Sequence, residues 1–144
     1  MPVQRDNPYS SFNFLVEIDG VASAGFAEAD LPAGRIETIE YREGADKTSG
    51  VRKLPGRVSY EDVVLRRGLA GRTDLYDWWR AVRDGNLDRR NVAIVLLDEA
   101  RSPVQRWLLR AAWPTRLAYS RLDAAKNEVA IETLELTYES LETE

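Results

Sequence analysis

The sequence contains no cysteine and no histidine among its 144 residues. Without cysteine the chain can form neither disulfides nor thiolate metal sites, so its stability must come from packing and from partners. Without histidine it lacks the side chain best placed to exchange protons near neutral pH, which is also the commonest metal ligand. Both absences count against an enzyme, and we predict no catalytic residue, no cofactor and no metal site.

Long apolar segments are absent as well. The longest unbroken apolar run, residues 92–97, has six residues, whereas a helix that spans a membrane needs about 20. The first residues also lack the apolar stretch of a secretory signal. We therefore expect a soluble protein with no membrane partner, assembled in the cytoplasm, in which residues 1–144 form a single domain.

Alternating apolar residues in the first half of the chain predict several β-strands. Residues 11–18 place their even-numbered apolar side chains on one face, and an Asp-Gly turn at 19–20 leads into a second strand over residues 21–26. Further strands are predicted at residues 35–42 and 58–67. The glycines and the proline between these two strands are expected to form turns and to end strands.

The only convincing helix is predicted over residues 73–84. Thr73 is expected to cap the free amides at its start, and Gly85 is expected to end it. Its predicted apolar face consists of Leu75, Trp78, Trp79 and Val82, and we interpret the two tryptophans as packing against a sheet.

Three more strands are predicted in the second half of the chain. Residues 92–97 are apolar on both faces, which is typical of a strand covered on both sides. Residues 104–111 alternate, and Pro114 is expected to end that strand because proline donates no hydrogen bond to the ladder. The last strand, residues 129–139, changes phase, and a β-bulge near Thr133 would restore the alternation.

With that bulge, four glutamates of the last strand would share one face as an acidic stripe. They are Glu128, Glu132, Glu135 and Glu139. Residues 128–144 contain six glutamates and neither lysine nor arginine, so this end of the chain is expected to offer an acidic surface.

Seven or eight strands and one helix indicate a mainly β fold. The two architectures that fit are a small antiparallel β-barrel and a two-sheet sandwich, each with one flanking α-helix. The sequence shows neither an internal repeat nor a low-complexity segment.

A basic segment interrupts this otherwise acidic chain, and we predict that residues 43–56 form an extended hairpin arm. The basic residues are Arg42, Lys47, Arg52, Lys53 and Arg57. One hypothesis is that residues 42–57 form a nucleic-acid-binding module that grips phosphates. The segment lacks interleaved aromatic residues, and the net charge of −4 counts against a dedicated nucleic-acid binder. The other hypothesis is that the arm pairs with an acidic surface of another copy.

Six blocks of sequence, in matching order and spacing, resemble the tail tube proteins of contractile phages and phage-derived injection systems. They are Asn-Pro-Tyr-Ser-Ser-Phe-Asn-Phe-Leu-Val-Glu-Ile-Asp-Gly (7–20), Ile-Glu-Tyr-Arg-Glu-Gly (39–44), Val-Arg-Lys-Leu-Pro-Gly (51–56), Leu-Tyr-Asp-Trp-Trp (75–79), Arg-Arg-Asn-Val-Ala-Ile-Val-Leu-Leu-Asp-Glu-Ala (89–100) and Asn-Glu-Val-Ala-Ile-Glu-Thr-Leu-Glu-Leu (127–136). The resemblance covers nearly the whole chain.

The resemblance implies a small β-barrel with a flanking helix, a fold shared with the tube-forming protein of type VI secretion. It also implies that six copies close into a ring and that rings stack into a hollow tube inside a contractile sheath. The implied partners are other copies of the chain, the sheath protein, baseplate and spike proteins, and cargo in the lumen, either protein effectors or DNA. Specific nucleic-acid binding is not expected. The resemblance leaves open whether the chain is the main tube subunit or a subunit that starts the tube at the baseplate.

The matching blocks also imply roles for particular residues. The arm is expected to contact adjacent subunits or the next ring through Glu43, Lys47, Val51, Arg52, Lys53, Leu54 and Pro55, with Arg52 and Lys53 as the charge contacts. Asn7, Pro8 and Tyr9 are expected to lie at a subunit boundary. As a separate hypothesis, Glu128, Glu132, Glu135 and Glu139 face the lumen, where negative charge would let cargo slide without adhering.

Overall fold

The structure, a computed structural model, describes residues 8–9, 13–23, 25–42, 44 and 50–144. Within these residues the chain forms ten strands and one helix. The strands are β1 (Phe14–Ile18), β2 (Val21–Ser23), β3 (Phe26–Asp30), β4 (Ala33–Tyr41), β5 (Arg52–Glu61), β6 (Val63–Gly68), β7 (Arg90–Leu97), β8 (Pro103–Tyr119), β9 (Ile131–Thr137) and β10 (Ser140–Thr143), and the helix is α1 (Asp74–Arg83). The predicted mainly β fold with one helix is confirmed.

Eight of the strands form one antiparallel sheet that folds over on itself. Its order is β2-β1-β7-β8-β9-β6-β3, and β10 also pairs with β8. The long strand β8 connects the two halves of the sheet, since its first part pairs with β7 and β10 and its second part with β9. Its backbone takes a φ of 54° at Ala111, whose amide donates to the side-chain oxygen of Asn91 at 3.2 Å. This bend lets the two halves of the sheet lie over a shared core.

The main core cluster receives residues from both halves of the sheet and from the helix. Strand β6 contributes Val63 and Leu65, and β9 contributes Leu134 and Leu136, all with 0 % exposure. Trp78 of α1 packs against the same cluster. Each large side chain buried in this way stabilises the folded state by about 1.5–3 kcal/mol relative to leaving it in water.

Strand β7 is buried on both faces, as predicted. Val92 and Ile94 belong to the main cluster, and Ala93, Val95 and Leu97 form a second cluster on the opposite face. By register, Glu17 of β1 and Arg106 of β8 lie on that second face, where an ion pair joins them at 3.0 Å. The second face of β7 is therefore apolar, and the Glu17–Arg106 ion pair shares this face.

The hairpin predicted at the start of the chain is confirmed in part. Strands β1 and β2 are joined by Asp19, with a φ of 51°, and Gly20, with a φ of 79°, and positive φ at both positions is what a two-residue type I′ hairpin turn requires. The second strand, however, ends at Ser23 and not at Phe26. Gly25, with a φ of 92°, redirects the backbone, so that Phe26 begins β3, which pairs with β6.

Helix α1 extends from Asp74 to Arg83, within one residue of the predicted bounds. The predicted cap is wrong, because Thr73 makes no capping hydrogen bond and its hydroxyl donates instead to the carboxylate of Asp77 at 3.3 Å. Gly85 follows the helix with a φ of 95°, as a terminating glycine should. On the predicted apolar face, Leu75 and Trp78 are buried, and Trp79 and Val82 are half-buried.

Strand β8 continues through Pro114, so the predicted end of the strand at that residue is wrong. Pro114 lies opposite Leu136 and Arg116 lies opposite Glu135, which leaves Thr115 as the extra residue of a β-bulge. Because a bulge interrupts the ladder, the missing amide hydrogen of the proline is tolerated there.

Strand β9 contains no bulge near Thr133, and that prediction is also wrong. The registers of β9 with β6 and with β8 advance one residue at a time through Thr133. The irregularity lies in the partner strand, at Thr115. The bulge was predicted partly because Val129 is apolar at an odd-numbered position, out of step with Leu134 and Leu136. In the structure Val129 lies before the strand, with 75 % of its surface exposed. Strand β9 therefore keeps a strict period of two, which determines where its glutamates point.

Candidate subunit interface

Strands β4 and β5 form a hairpin, here called the arm, that stands apart from the main sheet. They pair with each other, and within the described residues neither pairs with any other strand. Every residue of β4 is exposed, as are eight of the ten residues of β5. The arm is therefore longer than the predicted residues 43–56, because most of the strand predicted at 35–42 and the start of the one at 58–67 belong to it.

The base of the arm is anchored to the body at Glu61. The strand predicted over residues 58–67 divides at Asp62, so that β5 ends just before this residue and β6 begins just after it. The hydroxyl of Tyr138 donates to the carbonyl oxygen of Glu61 at 2.7 Å, and its ring centroid lies 5.6 Å from that of Tyr60. The arm thus begins at a defined point of the fold.

Five large apolar side chains are exposed along the arm. Ile36 lies opposite Val58 on one face, and Ile39 lies opposite Leu54, next to Tyr41, on the other. Their exposed fractions range from 45 to 58 %. Contiguous exposed apolar side chains mark interaction surfaces in soluble proteins, and a two-stranded hairpin alone is marginally stable in water. The predicted bounds of the arm left out four of these five residues.

A β-bulge in β5 shapes the face that carries Ile39. Gly56 and Arg57 together lie opposite the single residue Glu37. A Cβ atom at Gly56 would lie 3.0 Å from Cγ1 of Ile39 and 3.1 Å from the carbonyl oxygen of Glu37, which is tighter than nine in ten real Cβ contacts. Glycine at this position therefore lets the Ile39 side chain lie across β5.

The residues predicted as arm contacts divide between its two faces. Arg52 lies opposite Tyr41 and shares a face with Leu54, whereas Lys53 lies opposite Glu40 on the other face. Val51, Arg52, Lys53, Leu54 and Pro55 are all exposed, and Glu43 and Lys47 lie outside the described residues. Their contacts with other copies stay a prediction.

The three residues expected at a subunit boundary lie near the start of the chain. Asn7 is outside the described residues, Pro8 is exposed and Tyr9 is half-buried. Their position at a boundary stays a prediction.

The predicted acidic stripe does not form, because Glu132 is buried. With the period of two in β9, Glu132 shares the inward face with Leu134 and is only 2 % exposed, while Glu135 points to the opposite face. Glu128 precedes the strand and Glu139 follows it, and both are exposed. Glu132 therefore cannot line a lumen, whereas a lumen position for the other three glutamates stays a prediction.

Glu132 forms a buried ion pair with Arg67, and each side chain is 2 % exposed. The Nε atom of Arg67 donates to Oε2 of Glu132 at 3.1 Å. The same guanidinium donates to the carboxylate of Asp74, the first residue of α1, and this holds the pKa of Asp74 below its ordinary value. The cluster joins the helix to strands β6 and β9 within one copy. The sequence carried one signal for this pair. Arg67 on β6 follows the inward apolar residues of its strand at the next alternating position, Glu132 on β9 precedes those of its strand in the same way, and the two residues have opposite charges.

The described residues contain no group of three or more Asp, Glu, His or Cys side chains that could hold a metal ion. They also include no helix with the length and apolar character to cross a membrane.

A comparison with protein families finds a match to the model of T4-like virus tail tube protein gp19, over residues 10–142. A comparison with curated proteins finds no match.

Solved structures with similar folds include components of several contractile particles. The chain has 29 % identity and a TM-score of 0.84 to a protein in the baseplate of the anti-feeding prophage, solved with 6-fold symmetry, with 97 % of each chain covered. It has 24 % identity and a TM-score of 0.86 to a protein in the extended sheath-tube complex of the PVC extracellular contractile injection system, covering 96 % of this chain and 93 % of that one. Hcp1 from Flavobacterium johnsoniae shares the fold at 10 % identity and a TM-score of 0.59, covering 92 % and 94 %. None of these matches supports the alternative that residues 42–57 form a nucleic-acid-binding module.

Proposed function

We propose that this chain, which belongs to the T4-like virus tail tube protein gp19 family, closes into rings of six copies that stack into a hollow tube. The chain is a structural subunit of the tube of a phage tail or contractile injection particle. In the proposed assembly a contractile sheath surrounds the tube, baseplate and spike proteins lie at its end, and protein effectors or DNA pass through the lumen. We also infer that the protein is not an enzyme, since a tube subunit acts through its contacts.

The observation that carries the assembly proposal is the arm, with apolar side chains exposed on both faces. Leaving apolar surface in water costs about 25 cal/mol for each Å², so these side chains favour any arrangement that covers them. In a ring of identical copies every arm meets the same surface of a neighbour, and closure leaves no arm without a partner.

The margins of the main sheet support the same proposal. Strands β2 and β3 end the strand order, and an exposed strand edge is a template for pairing with another chain. Edge-to-edge contacts between neighbouring copies would cover these margins and join the sheets into one wall around the lumen. We propose that the exposed Glu128 and Glu139 and the half-buried Glu135 face this lumen, where they would repel anionic cargo from the wall.

Electron microscopy tests the assembly proposal directly. Negatively stained images of the concentrated or co-expressed protein should show rings or tubes with 6-fold symmetry. A protein that stays monomeric at every concentration, alone and with its sheath, would contradict the proposal.

A charge-reversed arm tests which part of the molecule holds the assembly together. The variant Arg52→Glu/Lys53→Glu should remain folded, because both side chains are exposed, and should lose stacked rings. The matched control is Arg121→Glu/Lys126→Glu, which makes the same change in net charge at exposed positions outside the arm. Normal stacking of the arm variant would refute the role of the arm.

A further inference from the structure

A groove lies along the open seam of the folded sheet, close to the base of the arm. Its cavity volume is about 380 Å³. The apolar side of this seam groove is lined by Phe14, Ile94, Leu96 and Trp107, and its other side is formed by residues 27–31, which include most of β3. The groove therefore combines an apolar floor with the edge of a strand.

The strand at this seam has a margin that can accept another strand. Strand β3 is the last in the sheet order and pairs with β6, and among the described residues no strand pairs with its other edge. The amides and carbonyls of such an edge can pair with an added strand.

The rim of the seam groove is acidic. Glu28 and Asp30 of β3 both contact Arg66, each at 3.3 Å, and their side chains are 67 % and 61 % exposed. Two carboxylates thus share one guanidinium, which leaves an excess of negative charge. A further guanidinium would form charge-assisted hydrogen bonds with these carboxylates.

We infer that the seam groove receives the arm of a second copy of this chain, an inference that rests on the proposed function. The arm face that carries Ile39, Leu54 and Tyr41 also carries Arg52. The apolar side chains of this face match the floor of the groove, and Arg52 matches the acidic rim. In addition, the outer edge of either arm strand can lie along β3 as a further strand.

The occupant is a neighbour's arm because, among the described residues of one copy, neither arm strand pairs with β3. Only Leu31 and Pro32 separate β3 from β4, and across that short link β4 pairs with β5 instead of β3. Each copy therefore offers both an arm and the free edge of β3 to other copies. A head-to-tail contact of this type builds a closed ring where its rotation returns to the first copy, as the proposed ring of six requires.

Disulfide crosslinking between two single-cysteine variants tests the inference. Because the chain has no native cysteine, any disulfide must join the introduced cysteines. Leu54→Cys marks the arm and Leu31→Cys marks the groove, both at exposed positions. The two variants are mixed, assembled and oxidised, and a disulfide between them requires their Cα atoms to approach within about 7 Å. We expect a crosslinked dimer that contains one copy of each variant. The control acceptor is Leu122→Cys, which is 81 % exposed in the loop between β8 and β9.

The outcomes separate this inference from the proposed function. Rings that form with the Leu54–Leu31 crosslink support both. Rings that form without it, or with a Leu54–Leu122 crosslink in its place, overturn the groove as the site of the arm. If the parent protein, which has no introduced cysteine, also forms no ring, the proposed function is wrong and the inference that rests on it is wrong as well.

A charge reversal on the arm copy tests which face of the arm enters the groove. Adding Arg52→Glu to the Leu54→Cys copy should lower the yield of crosslinked dimer about tenfold, because it brings a third carboxylate to the acidic rim. Lys53→Glu is the matched control, since it makes the same charge change one residue away on the opposite face, and it should leave most of the yield. Equal losses from the two variants would overturn the assignment of the face.

Discussion

The body and the arm place similar apolar pairs in opposite environments. In the body, Val63 of β6 lies opposite Leu136 of β9, and both are 0 % exposed. In the arm, Ile36 of β4 lies opposite Val58 of β5, and both are more than half exposed. The body strands lie over a core built by one chain, whereas the arm strands have no second layer within the described part of the copy. The same cross-strand pair thus stabilises one copy in the body and is available to join two copies in the arm.

The largest effect that distinguishes the two regions should come from burying a charge. Leu136→Asp places an unpaired carboxylate in the core and should lower the free energy of unfolding by about 4 kcal/mol or more. Val58→Asp, at the exposed pair of the arm, should change that free energy in an isolated copy by less than about 0.5 kcal/mol and should prevent assembly. Urea denaturation followed by tryptophan fluorescence measures the first quantity, and electron microscopy the second. Similar losses of stability from both variants would erase the proposed difference between body and arm.

Removal of an arginine should have the next largest effect. Arg67→Met leaves the buried carboxylate of Glu132 without its cation and should cost about 3 kcal/mol in the free energy of unfolding. Arg35→Met, on the exposed strand β4, is the matched control and should cost less than about 0.5 kcal/mol. Adding Glu132→Leu to Arg67→Met should restore much of the loss, because no buried charge then remains. If the double variant is as unstable as Arg67→Met alone, the ion pair is not the cause.

A smaller effect should appear in the pH dependence of the body. The pKa of Asp74 is lower in the folded chain than its ordinary value of 3.8, because the Arg67 guanidinium donates to it. The stabilisation from Asp74 is therefore complete above that ordinary value and is lost as the pH falls through the lowered pKa. We expect Asp74→Asn to flatten the fall in stability below about pH 4. More than half of the Asp74 side chain is exposed, so solvent screening keeps the effect modest.

Denaturant titrations at several pH values measure this dependence. Asp77→Asn, which lies on the same helix and leaves the Arg67 contact intact, is the control. Superimposable profiles for Asp74→Asn and the parent protein would show that the contact adds no stability.

The smallest effect on an isolated copy is expected at the bulge of the arm. Gly56→Ala would place a Cβ atom 3.0 Å from Ile39 and displace that side chain from the face of the arm. We expect a change of less than about 0.5 kcal/mol in the free energy of unfolding and a several-fold rise in the concentration needed for assembly. Gly50→Ala is the control, because no atom of a described residue lies within 4 Å of its added Cβ. Light scattering across a dilution series measures assembly, and equal behaviour of the two variants would contradict the role of Gly56.

The alternation of residues was enough to predict the mainly β fold, the helix and the two-sided burial of β7, because each depends on neighbours in the sequence. The inward alternation of β9 continues through Glu132, but that pattern alone was not enough to predict that the glutamate is buried. A lone glutamate between apolar residues normally points to solvent, and its partner Arg67 lies 65 residues away in the chain. Only the register of β6 against β9 brings the two charges together.

The extent of the arm was missed for a different reason. Ile36 and Val58 belong to the alternating patterns that were predicted to be ordinary strands beside the arm, yet in the structure both are exposed. A sequence pattern reports that a face will be buried and does not report which copy buries it. The basic and glycine-rich character of residues 43–56 marked the location of the arm, and only the structure gives its length.

The junction at Asp62 also determines how the molecule carries force. Tension applied to β5 passes along the backbone straight into β6, which is held between β3 and β9. Antiparallel ladder bonds run perpendicular to the strands, so a pull along β6 loads all of them at once, and its neighbours share the strain. The strand that continues from the arm is thus mechanically braced on both sides.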